Sequence, residues 1–251
     1  MIDSHIHADS RSSEDFEKMF VGGIDTAISC CYYPYKISSE SVLVNHMLRI
    51  LNFETKRCKS YGIDLKVALG IHPTNSLKSN NEIFKLLQQL IDGKKIVAIG
   101  EIGLEELTND EIINFKNQLE LADETKTKVI IHTPRKNKLK VLKEIKSIVL
   151  ESIDPKLVII DHINQEVIGE VIDEKFMIGL TVQPQKMDVE EAISILTKYG
   201  FDDFLLNSDI STKPSDPLSV PKTIRTMEKM GLSEKNITKV AFANAKKYFK
   251  I

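Results

Sequence analysis

The sequence predicts a (β/α)8 barrel, and three observations carry that prediction. Short apolar runs of strand length alternate with longer amphipathic runs along the whole chain, giving eight strands, each followed by a helix. The apolar runs are mostly continuous, as expected where both faces of a parallel sheet are covered. The length of 251 residues, undivided by any Pro- or Ser-rich linker, suits one such barrel, so residues 1–251 are expected to form a single domain.

Met1-Ile2-Asp3-Ser4-His5-Ile6-His7 reads as the first strand. Side chains two positions apart on a strand leave the same face, so His5 and His7 point together into one small volume. An amphipathic helix over 14–20 ends at Gly22-Gly23, and 26–31 is a short apolar strand. Pro34 keeps the following Tyr32-Tyr33-Pro34-Tyr35 stretch out of helix and sheet. A helix over 41–60 precedes a strand at 65–69, which runs into Gly70-Ile71-His72-Pro73. A helix near 82–91 then leads to a strand at 96–100 with Glu101 immediately after it. Thr108-Asn109-Asp110-Glu111 has the form of a capping box, and Ile112, Phe115, Leu119 and Ala122 follow at helical spacing. The fifth strand, 129–131, ends in His132, and Leu139, Leu142, Ile145 and Val149 mark the next helix face. The run 157–160 leads through Asp161 to His162. A short helix (167–172), a strand (176–182), a helix (189–199) and a strand (204–206) bring the chain to Asn207-Ser208-Asp209. Helical runs at 220–230 and 233–249 follow, the last forming a C-terminal helix.

Composition narrows the function classes. With 42% hydrophobic and 28% charged residues the chain is ordinary globular material, which excludes disordered and collagen-like classes. A formal net charge of -2 gives no overall footprint for nucleic acid, so contact with a polyanion has to be local or carried by metal ions. The three cysteines make neither a disulfide framework nor a zinc-ribbon spacing, which suits a reducing cytoplasm. No signal peptide is read at the start, no apolar stretch is long enough to span a membrane, and no obligate protein partner is evident.

Five of the six histidines, His5, His7, His72, His132 and His162, lie on the first strand or at strand ends, and only His46 falls in a predicted helix. Glu101 and Asp209 occupy equivalent strand-end positions. A closed barrel brings all these ends round one mouth, its active face, whereas an open doubly wound sheet gives no reason for them to converge. Imidazoles and carboxylates are the ligands expected for zinc, and they also accept manganese or magnesium. The six candidates His5, His7, Glu101, His132, His162 and Asp209 exceed the needs of one four-coordinate ion. Two divalent cations about 3.5 to 4 Å apart, bridged by Glu101, use all six.

His5-Ile6-His7, Gly70-Ile71-His72-Pro73, Gly100-Glu101-Ile102-Gly103-Leu104, Val129-Ile130-Ile131-His132, His162 and Asp209 resemble the ordered motifs of the TatD-type metal-dependent hydrolases of the amidohydrolase-like barrel superfamily. Phe115, Gln118-Leu119 and Leu121-Ala122 match the helix ahead of the fifth strand, and Asn244 to Phe249 resembles the closing Asn-x-x-x-x-Phe stretch, so the likeness covers nearly the whole chain. The resemblance implies His5, His7, Glu101 and Asp209 around one ion, with Glu101, His132 and His162 around the other. It also implies hydrolysis, often of phosphodiesters in DNA. Two stretches depart from the family. His132-Thr133-Pro134-Arg135 replaces the frequent His-Ser-Arg, displacing a phosphate-binding Arg by one residue, and His162-Ile163-Asn164-Gln165 replaces His-Cys-Phe-x-Gly. Phosphotriesterase-like relatives bridge their metals through a modified lysine near the end of the fourth strand, where this chain has Glu101.

Other residues carry competing readings. His72 is read as a substrate contact or as part of a turn beside Pro73, and Arg135 and Lys136 as phosphate contacts or a solvated pair. Tyr32, Tyr33 and Tyr35 suit base stacking or loop packing, the latter favoured. Cys30 and Cys31 are read as buried packing. Asp3 and Asp161, each next to ligand positions, are expected to orient imidazoles. The leading function is hydrolysis of phosphodiesters, in DNA or a small molecule, with Asp209 accepting the proton of the attacking water. Hydrolysis of another ester, a lactone or an amide on the same site is the alternative enzyme reading, and a non-catalytic metal-binding module the alternative outside enzymes.

Overall fold

A computed structural model describes all 251 residues, Met1–Ile251. Its strands are β1 (Ile2–Ile6), β2 (Thr26–Cys30), β3 (Asp64–Ala68), β4 (Ile99–Gly103), β5 (Val129–His132), β6 (Val158–Ile160), β7 (Met177–Thr181) and β8 (Phe204–Asn207). Its helices are α1 (Ser13–Val21), α2 (Glu40–Arg49), α3 (Thr55–Ser60), α4 (Asn81–Asp92), α5 (Asn109–Thr125), α6 (Lys138–Ser152), α7 (Val189–Tyr199), α8 (Ser219–Lys229), α9 (Glu234–Thr238) and α10 (Asn244–Phe249).

The strands form two parallel ladders, β1-β2-β3 and β4-β5-β6-β7-β8. Two seams bring them into a ring. At one, Ala68 bridges Ala98, and Val97 N donates to Val67 O at 2.9 Å. At the other, Asp209 N donates to His5 O and His7 N to Ile210 O, both at 2.9 Å. The backbone of three candidate ligands thus makes the seam between β8 and β1.

Side chains alternate across this ring as its pleat requires. Ile28, Cys30, Ala68, Ala98, Ile130, Ile159 and Leu205 pack into one inner cluster, floored by Ala245 and Phe249 of the C-terminal helix α10. Their neighbours Ala27, Val67, Val129, Ile131, Val158, Ile160 and Leu206 face outward, into the larger core beneath the helices. Asn244 Nδ2 donates to the carbonyls of Phe201 and Phe204, locking that floor to β8 and giving the closing Asn-x-x-x-x-Phe stretch its physical role.

Three expected elements differ in detail. The helix expected over 41–60 is α2 and α3 joined by a π turn at Ile50–Glu54. The helix expected at 167–172 is only a 3-10 turn, Ile168–Glu170, because its run is too short to nucleate an α-helix. The strand expected at 96–100 is displaced to Ile99–Gly103, so Glu101 lies within β4 and not after it. β4 also carries a register shift against β5 between Gly100 and Ile102. A similar shift on β1, between Asp3 and Ile6, flanks His5. Such irregularities re-aim side chains, and both fall on strands that carry candidate ligands.

Gly103 closes β4 with φ 140°, and a Cβ there would lie 2.6 Å from the carbonyl oxygen of His132. Gly103→Ala is therefore expected to lose about 1–3 kcal/mol of stability. Chemical denaturation measures this, and an unchanged midpoint would mean that β4 and β5 separate freely at this point.

Candidate metal centre

Strand ends deliver seven polar side chains to the barrel mouth, and Glu101 is their centre. It is 2% exposed, and its two oxygens face different partners. Oε1 lies 2.9 Å from His132 Nδ1 and 2.8 Å from His162 Nε2. Oε2 lies 3.5 Å from His5 Nε2 and 3.8 Å from His7 Nε2. Asp209 Oδ1 joins the second group, 3.2 Å from His7 Nε2 and 3.9 Å from His5 Nε2.

The far nitrogen of each imidazole is held. His5 Nδ1 is 2.5 Å from Asp161 Oδ2, and His7 Nδ1 is 3.0 Å from the Cys30 carbonyl. His132 Nε2 is 2.7 Å from Glu105 Oε2, and His162 Nδ1 is 2.7 Å from Thr181 Oγ1. Such outer partners fix ring orientation and tautomer and leave one nitrogen free to donate electrons. Asp161 also accepts from His162 N and Asn207 Nδ2 through Oδ1, so one carboxylate ties β1, β6 and β8 together. Gly179 is obligatory beneath it, because a Cβ would overlap Asp161 Oδ1.

The donor set fits divalent cations. His5 Nε2 is buried with no hydrogen-bond partner, and it is aimed at two carboxylate oxygens and His7. Ligands about 2.0–2.1 Å from a tetrahedral ion stand about 3.3 Å apart. The 3.2–3.9 Å spacings among His5, His7, Glu101 and Asp209 approach that value. His162 and Asp209 adopt left-handed φ of 60° and 43°, a strained conformation for these residues that turns both side chains into the mouth.

Electrostatics keeps Glu101, Asp209 and His162 in binding form. Burial pushes the Glu101 carboxyl up, but His5, His132 and the hydrogen bonds from His132 and His162 hold it well below the usual carboxylate range. Burial acts likewise on Asp209 and is outweighed by the Lys186 ammonium, whose Nζ lies 2.5 Å from Asp209 Oδ2. Burial, with Lys186 beside it, pushes His162 down to about 4, leaving a neutral imidazole.

The structure thus brings together all six expected metal ligands. His72 joins them, with Nε2 3.8 Å from Glu101 Oε2, and its Nδ1 also accepts from Thr74 N in the turn at Pro73. The turn beside Pro73 expected for His72 is therefore present. Arg135 stands apart at the rim, donating to Gln183 Oε1 at 2.8 Å, and Lys136 is exposed. Tyr32 packs against His7 and His72, while Tyr33 packs against Tyr35 and His46. Asp3 corrects one expectation. Its carboxylate accepts from Ser208 N and Oγ and from His5 N, so it binds backbone across the seam and touches no imidazole.

Sequence reasoning missed Lys186, Glu105, Thr181 and Gln183. Three of them lie at or just beyond the end of β7, a position the barrel rule marks but that carries no histidine or acid to draw notice. Glu105 follows the fourth strand and owes its place to Glu111, whose Oε2 accepts from the backbone N–H groups of Glu105, Glu106 and Leu107.

The model for TatD-related DNases matches residues 2–250. The chain belongs to this family of metal-dependent hydrolases. An uncharacterized metal-dependent hydrolase of Methanocaldococcus jannaschii is 42% identical over 253 residues, covering 100% of both chains. The TatD-like protein of Archaeoglobus fulgidus, a solved structure, is 30% identical with a TM-score of 0.85, again over 100% of each chain. The phosphotriesterase homology protein of Escherichia coli, solved with phosphate in its active site, is 13% identical with a TM-score of 0.69, covering 99% of this chain and 98% of that one. At that identity the likeness concerns the barrel alone.

Asp161→Asn removes the charge that orients His5, and is expected to weaken metal affinity about 10–100-fold. Titration against a competing chelator measures it. An unchanged dissociation constant would release Asp161 from this role.

Proposed function

We propose that the chain, read as one barrel unit over 1–251, is a binuclear phosphodiesterase that cleaves DNA or a small phosphodiester. The observation that carries this reading is the division of Glu101, one oxygen toward His132 and His162 and the other toward His5, His7 and Asp209. In this reading Glu101, with His132 and His162 on one side and His5, His7 and Asp209 on the other, would hold two divalent cations, zinc, manganese or magnesium, which would supply Lewis-acid activation and positive charge at the reacting centre. Two such ions bring about four positive charges and Glu101 and Asp209 remove two, which leaves a centre suited to an anion. The name of the matched family, TatD-related DNase, supports the same substrate class.

The side chains divide the work. Asp209, ionised because Lys186 holds it so, accepts the proton of the attacking water at its carboxylate. His72, neutral because burial and the neighbouring His132 push it well below the usual imidazole range, contacts the substrate from the side of Tyr32. Arg135 at the rim offers its guanidinium to a phosphate.

Metal-dependent cleavage of DNA or a model diester tests the reading, and turnover of esters, lactones or amides with none of diesters overturns it. Glu101→Gln is expected to lower occupancy of both metal sites, because a neutral amide supplies no bridging charge, and mass spectrometry of the purified variant measures this. Full occupancy there removes the bridge. Asp209→Asn is expected to keep the fold and the metal at His132 and His162 while turnover falls about 10²–10⁴-fold at saturating metal. If added metal restores a near-normal rate, Asp209 is a ligand only.

A further inference from the structure

A second polar cavity opens beside the metal centre, with His162 as the wall between them. Its volume is about 70 Å³, and no apolar side chain and no carboxylate lines it. A space of this size holds one phosphoryl group in place of a few waters.

Lys138 is the unusual residue here. It opens α6, where the helix dipole disfavours a cation, and it is largely buried. Its Nζ donates to Thr133 Oγ1 and to the His162 carbonyl, both at 2.8 Å, and pairs with no carboxylate. Arg135 likewise binds only the neutral Gln183 side chain. Lys186, the third cation on the wall, is already neutralised by Asp209. Two positive charges therefore remain uncompensated.

We propose that this cavity binds a terminal phosphomonoester of the substrate, through Lys138 and Arg135, while the scissile bond lies at the metal ligands. A phosphomonoester carries about −1.5 to −2 charges, which matches the two uncompensated cations; a diester or a carboxylate carries one. The small size of the cavity suits a terminal group better than a continuing strand. His162 sets the spacing, with Nε2 toward Glu101 Oε1 at 2.8 Å and Nδ1 toward Lys186 Nζ at 3.3 Å. The substrate class, an end-phosphorylated diester, rests on the phosphodiesterase reading above, whereas the anion site itself does not.

Two measurements on the full-length chain separate these. In the first, inorganic phosphate is titrated by calorimetry into protein loaded with divalent metal and into protein stripped by chelator. The stripped protein is expected to retain one phosphate site, which Lys138→Met weakens about 10–100-fold with circular dichroism unchanged. Arg135→Met, at the exposed rim, is expected to act in the same direction and serves if Lys138→Met does not fold. No binding to stripped wild type, or equal affinity in wild type and both variants, overturns the site. In the second, a dinucleotide bearing a terminal phosphate is expected to show a KM at least about tenfold below that of the unphosphorylated dinucleotide, a preference lost in Lys138→Met. Equal KM values for the two in wild type overturn the end-reading role. Phosphate binding without turnover of either dinucleotide leaves the anion site standing and removes the phosphodiesterase reading.

Discussion

A single buried carboxylate sets the terms for the rest of this molecule. Glu101 is 2% exposed, and an ionised carboxylate so far from water is costly unless its oxygens are matched by hydrogen bonds or cations. Four imidazoles and a fifth from His72 converge on it, and each of the four has its other nitrogen held by Asp161, Cys30, Glu105 or Thr181. The layer of outer partners is as demanding as the inner one. It fixes which nitrogen faces inward, and it explains why polar groups such as Asp161, Thr181 and Asn207 are buried among strands that are otherwise apolar.

That demand is written into the backbone. The ladder is irregular on β1 and β4, the strands bearing His5 and Glu101, and left-handed residues appear at His162 and Asp209, after β6 and β8. Regular parallel pairing would be more favourable locally, so these departures persist because the surrounding packing over-determines them. The seam between β8 and β1 illustrates the coupling. Its hydrogen bonds run between the backbones of Asp209 and His5 and of His7 and Ile210, and Asp3 reinforces it by accepting from Ser208. Closing the ring and assembling the ligands are one structural event. Below, Ala68, Ala98 and their neighbours fill a narrow interior, and Phe249 packs at its floor, so the polar mouth rests on an apolar core.

The mouth is asymmetric in charge. Glu101, Glu105 and Asp209 face the imidazoles, while Lys138, Lys186 and Arg135 gather behind His162. Lys186 touches both halves, since its ammonium lies against Asp209 and His162. An anion approaching the metal ligands therefore meets cations on one side only, and that gradient gives a substrate a direction in the site.

The sequence by itself determined the barrel and the identity of the six candidate ligands. Alternating strand and helix periods specify the layers, and the rule that strand ends share one mouth makes His5, Glu101, His132, His162 and Asp209 neighbours although they are far apart in the chain. Capping at Thr108 was legible too, since it depends on local spacing. Only the tertiary structure decided which oxygen of Glu101 faces which histidines, that Asp161 orients an imidazole while Asp3 binds backbone, and that Lys138 and Lys186 stand beside the ligands. Periodicity records which face a residue occupies. It does not record a register shift of one residue, a left-handed φ or the reach of a lysine side chain across a barrel mouth, because these are settled by contacts between strands distant in sequence.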